Sequence, residues 1–138
     1  MKKITIPLIR SWWPCYDPTE HLPEKWKGSV INLIDIKTIP LEDRLWVILR
    51  NDLVSEKLMR IFAVWCARQV QHLMKDQRSL DALDFMEAYI ENYWLIDDPE
   101  WKEGWEELRD AAWAAAKDTQ EAKLREMLIE GAKTGDVF

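Results

Sequence analysis

Arg68 and His72 stand four residues apart in the apolar run RIFAVWCARQVQHLM, with Gln69 beside them and Trp65 one turn earlier. On a helix, residues at that spacing share a face, so a guanidinium and an imidazole next to an indole present donors to an anion or a partner carboxylate. Asp76, Gln77 and Arg78 follow in a polar turn, and a cation beside an aromatic plate is also an ordinary ingredient of nucleobase binding. The plainer alternative stays open: Arg68 and Arg78 pair with acids on later helices, and His72 is a boundary residue.

Nine tryptophans in 138 residues supply a second set of candidates. Trp12, Trp13 and Trp26, with Tyr16, follow no periodic stripe, so they suit a surface clamp or an interface as well as packing of their own segment. Trp46, Trp65, Trp101 and Trp105 fall on apolar stripes and are expected in the core. Trp113, inside an alanine stretch, fills a gap between helices or faces a second subunit.

Reaction chemistry has little foothold. The chain has no G-x-S-x-G, H-E-x-x-H, P-loop or C-x-x-C pattern. Cys66 and His72 are six apart, which on a helix sends them to divergent faces. Cys15, Asp17, Glu20 and His21 cluster in sequence, but their spacing matches no metal-binding pattern with a stated mechanism. Neither metal nor cofactor is expected, and the remaining enzymatic option is a small hydrolase or transferase using His72 with Asp76.

A chain of this length fits one domain that buries about two thirds of its unfolded surface without metal or disulfide. Two dissimilar cysteines suit a reduced, cytoplasmic setting. Twenty-five acids against nineteen bases give a net charge of −6, which opposes duplex nucleic acid. No apolar stretch reaches membrane-spanning length, and the basic Met1-Lys2-Lys3 start is followed by Pro7 and Arg10, unlike a secretory leader.

The elements that must position these residues are mostly helical. Residues 1–38, with Pro7, Pro14, Pro18 and Pro23, are expected to form an irregular Trp/Pro-rich N-terminal arm. Within it, the alternation of Ile4, Ile6 and Leu8 suggests an edge strand, and Ser29 a cap for a helix over about 29–36. Residues 39–131 read as a helical bundle. A first helix starts at Pro40 and runs to near Asn51, and a second is capped by Ser55 and reaches about residue 75. A third is capped by Ser79 and includes Ile90 and Trp94. Asp98-Pro99-Glu100 starts a fourth, which either continues to a stop at Gly131 or gives way near Asp118 to a fifth. Residues 132–138 remain as a tail. The expected fold is all-α, a single-domain bundle of four to five helices.

The segments RIFAVWCARQVQHLMKDQRSLDAL and RDAAWAAAKDTQEAKLREML, with SWWPCYDP and HLPEKWKG in the arm, resemble small phage and bacterial proteins grouped with immunity proteins of polymorphic toxin systems. That resemblance spans most of the chain, and Cys66, Arg68, Gln69, His72, Asp76 and Arg78 are typical positions of the group. Many members carry a longer alanine-rich C-terminal repeat, of which this chain has one segment. The resemblance implies an all-helical, non-enzymatic protein of genetic conflict that occludes a host defence or toxin protein, in the host cytoplasm if phage-encoded. Beside it stand a sponge for a nucleotide messenger, held by aromatic planes with Arg68 or Arg78, and a helical homo-oligomer packed through the alanine-rich face.

Overall fold

The computed structural model describes residues 1–88, 90 and 117–138. The helix expected from Asp98, together with Trp94, Trp101, Trp105 and Trp113, lies outside the described residues. Those that are described are mostly α-helical, with one two-stranded sheet. The chain divides into two compact units, Met1–Ser55 with Arg125–Phe138, and Glu56–Leu124.

In the first unit the segment read as an irregular arm carries regular structure. Strand β1 (Ile4–Thr5) pairs antiparallel with β2 (Lys27–Gly28). The expected strand stops after two residues because Thr5 caps a helix, α1 (Ile6–Arg10), accepting from the Leu8 amide at 3.2 Å. Pro7 stands in the first turn, where its missing N–H costs nothing. The period-2 alternation was therefore a helix start, and Ile4, Ile6 and Ile9 are all buried.

A 3-10 turn (Pro18–Glu20) leads toward β2 and α2 (Val30–Ile34), which Ser29 and Asn32 close with a reciprocal capping box. Helix α3 (Leu41–Ile48) follows Pro40. Arg44, only 4 % exposed, donates from Nε to the Ile39 carbonyl at 3.0 Å and from Nη1 to the Ile34 carbonyl. It satisfies a carbonyl at the end of α2 and another in the connection that leads to α3.

The C-terminal residues belong to this body. Helix α6 (Lys117–Thr134) runs through Gly131, and the stop falls instead at Gly135, with φ at +88°. The Asp136 amide returns to the Gly131 carbonyl at 2.9 Å, a left-handed helix ending that glycine enters without Cβ strain. Val137 bridges Val54, and Ser55 donates from Oγ to Asp136 at 2.8 Å. Residues 135–138 are thus a latch. Arg125 on α6 donates to Asp35 at 2.7 Å.

The second unit holds α4 (Glu56–Gln69), α5 (Gln77–Ala88) and the start of α6. Phe62, Leu83 and Leu124 have no exposed surface. α4 ends six residues short of expectation and gives way to a 3-10 turn (Gln71–Leu73). Leu73, which continued the apolar period, is 66 % exposed, so that period outran the core. α5 begins two residues before Ser79, because Asp76 accepts from the Arg78 amide at 2.9 Å and takes the capping role.

Phe62→Ala should lower unfolding free energy by about 3–5 kcal/mol, through lost burial and the void left behind. Gly135→Ala meets no atom within 4 Å. It should cost only the left-handed backbone penalty of about 1–2 kcal/mol. Urea unfolding of both variants checks the ranking.

Candidate functional site

The described side chains converge on the end of α3. Leu49 leaves the helix, and Arg50 turns back so that its Nε donates to the Trp46 carbonyl at 3.1 Å. Its guanidinium carbon lies 3.8 Å from the Trp46 ring centroid and 5.1 Å from that of Trp12. Trp12 in turn donates its indole N–H to Asp52 at 3.2 Å. One cation therefore engages an indole from the N-terminal segment and another from α3, an arrangement worth about 0.5–2 kcal/mol per ring.

Tyr16 extends the cluster, edge-on to Trp46 with centroids 6.3 Å apart and tilted against His21 at 6.3 Å. His21 Nε2 lies 3.8 Å from Asp43 in the first turn of α3. Burial pushes the Tyr16 phenol up to about 12, and the Asp43 charge pushes the same way against an opposing effect of Arg50. The phenol is thus neutral at physiological pH. The cavity behind these side chains, between Tyr16, His21, Leu22, Asp43 and Arg44, measures about 10 Å³. That is room for about one water. The cluster offers a surface, not a pocket.

Trp13 projects from this surface. It is 89 % exposed and has φ at +57°, the one left-handed non-glycine among the described residues. Its amide closes a turn onto the Arg10 carbonyl at 3.1 Å, so it ends the turns that follow α1 in a conformation that glycine or asparagine usually takes. For an L-residue that conformation costs about 1–2 kcal/mol, and here almost no burial offsets it. Neither packing nor turn geometry calls for tryptophan.

The other sequence-derived candidates fall elsewhere. Trp26 is half-buried and covers Gly28, where an added Cβ would come within 2.6 Å of the ring. Trp65 is half-buried in the second unit, with Lys123 Nζ 5.8 Å from its centroid, and Gln69 donates to the Trp65 carbonyl at 3.4 Å. Because α4 stops at Gln69, Arg68 and His72 are not the i, i+4 neighbours on one helix that their spacing suggests. Arg68 pairs with Asp84 at 2.7 Å and with Glu87, while His72 is exposed in the 3-10 turn. Arg78 pairs with its neighbour Asp76 at 3.0 Å. Among the described residues no His, Cys, Asp and Glu side chains gather into a metal-binding group.

Sequence reasoning found Trp12, Trp13 and Tyr16 but missed Arg50 and Asp52, and it placed Trp46 in the core. The i, i+4 spacing of Trp46 and Arg50 was the available signal. Comparison with known proteins finds no family model, curated protein or solved structure that matches the chain. No described helix is long and apolar enough to cross a membrane.

Trp13→Gly should leave the urea midpoint unchanged or raise stability by up to about 1 kcal/mol, since relief of strain exceeds the added chain entropy. A clear loss would show that the indole packs. Tyr16 has its phenol raised from 10.0 to about 12, so the stability it lends is complete below pH 10 and fades as pH rises through 12. Alkaline unfolding of Tyr16→Phe should therefore show a shallower loss in that window. Cys15 is exposed, whereas Cys66 is fully buried with its thiol pushed up to about 12 by burial. A thiol reagent should label Cys15 in the native protein and Cys66 only after unfolding.

Proposed function

We propose that the chain is a non-catalytic binding protein that occludes a protein partner through the face formed by Trp12, Trp13, Tyr16 and Arg50. The observation that carries this reading is Trp13, a large indole held in solvent by a backbone conformation that disfavours it. Energetic hot spots of protein interfaces are enriched in tryptophan, tyrosine and arginine, and they sit among neighbours that need not contribute themselves. A preorganised display lowers the ordering cost of association.

The resemblance of the arm and helical segments to immunity proteins supports a role in phage–host or toxin–immunity conflict. The partner would be a host defence or toxin protein in the cytoplasm. A nucleotide sponge through Arg68 and Arg78 draws less support, because each guanidinium is already paired with a carboxylate.

The 138-residue chain immobilised against host or toxin-bearing lysate should retain one defined protein. Trp13→Ala, with unchanged melting temperature, should weaken that complex by about thirtyfold or more, the effect of a 2 kcal/mol hot spot. Retention of no protein, or equal binding by the variant, contradicts the reading. So does recovery of intact cyclic dinucleotide from the denatured chain.

A further inference from the structure

We infer that Arg50 is an anion-recognition residue, which offers its terminal nitrogens to an aspartate or glutamate carboxylate of the protein that covers Trp13. The inference rests on the binding-protein reading and supplies the partner's chemistry.

Arg10, Arg60, Arg68, Arg78 and Arg125 each meet a carboxylate of this chain, and Arg44 gives Nε and Nη1 to backbone carbonyls. Arg50 spends Nε on the Trp46 carbonyl. Among the described residues its two terminal nitrogens take no hydrogen bond and no ion pair. Asp52 acts on it electrostatically but directs Oδ2 to the Trp12 indole instead. The fork is thus held in place, partly dehydrated against two rings, and unspent. An arginine fork matches a carboxylate edge to edge through two parallel hydrogen bonds.

A carboxylate can lie in the guanidinium plane with both oxygens on the fork, and a phosphate can present two oxygens in the same way. Because the occupant read for this face is a protein, the carboxylate is the anion expected. Asp52 opposes any free anion, so the bare site is weak, and high affinity requires burial of Trp13 at the same time. Close by, Asp17 and Glu24 are drawn to Arg10, and Asp43 faces His21.

The test uses the full chain with ¹⁵N-labelled arginine and tryptophan. Sodium acetate and inorganic phosphate are titrated separately against sodium chloride at fixed ionic strength. Acetate should produce a saturable shift of the Arg50 side-chain signals and the Trp12 indole N–H, with no matching shift at Arg68, whose partners are internal. Arg50→Lys, which keeps the charge without the fork, should bind acetate at least about tenfold more weakly. The inference is overturned if acetate moves Arg50 no more than chloride does, if phosphate binds more tightly than acetate, or if Arg50→Lys binds equally well. The wild-type titration decides even if the variant misfolds. A partner still captured through Trp13 while acetate fails would remove this inference alone. Acetate binding without any captured partner would remove the docking reading instead.

Discussion

The guanidinium of Arg50 is the contact on which the proposed face depends. It caps a carbonyl at the end of α3, lies over the Trp46 ring and reaches Trp12, which the chain places in the turns after α1. Without it, the Trp12 ring would keep one exposed side-chain hydrogen bond, to Asp52, while the backbone turns onto Ile9 and Arg10 carry Trp12 and Trp13 out from α1. A cation on aromatic rings suits this duty, because it orders two large side chains without burying them.

Local capping and a buried core hold the first unit around that contact. Short elements are each closed by a specific cap: Thr5 for α1, Asp17 for the 3-10 turn, and the Ser29–Asn32 box for α2. Buried Arg44 joins α2 to α3, and the latch at residues 135–138 ties in the C-terminal end of α6. Helices of five residues are too short to persist on propensity alone. They hold here because their apolar faces, Ile6 and Ile9 on α1 and Leu33 and Ile34 on α2, are buried in a common core.

Much of this was legible from residue order. Ser29 caps α2 as local signals indicate, and Leu45 and Ile48 of the α3 stripe are buried, whereas Pro40 stands one place before the helix and α3 ends at Ile48, short of Asn51. Periodicity counts apolar residues without knowing whether anything covers them or which backbone group is capped. Leu73 extended α4 on paper yet faces solvent, and Ile4, Ile6 and Leu8 alternated like a strand although Thr5 and Pro7 open a helix. Gly131 sits inside α6 because the conformational demand that needs glycine falls four residues later. The site was half visible. Trp12, Trp13 and Tyr16 stood out by lying off any stripe, but their link to Arg50 and Asp52 crosses some forty positions that local rules do not connect.

The central claim is that Trp13 stands in solvent while Trp12 and Trp46 are held on Arg50. Fluorine NMR of chain carrying 5-fluorotryptophan, with signals assigned by single Trp→Phe variants, measures this directly through the shift on exchange from H₂O to D₂O. The account predicts a near-complete solvent shift for Trp13, reduced shifts for Trp12 and Trp46, and displacement of the latter two in Arg50→Gln. A shielded Trp13, or Trp12 and Trp46 signals indifferent to the loss of Arg50, would contradict it.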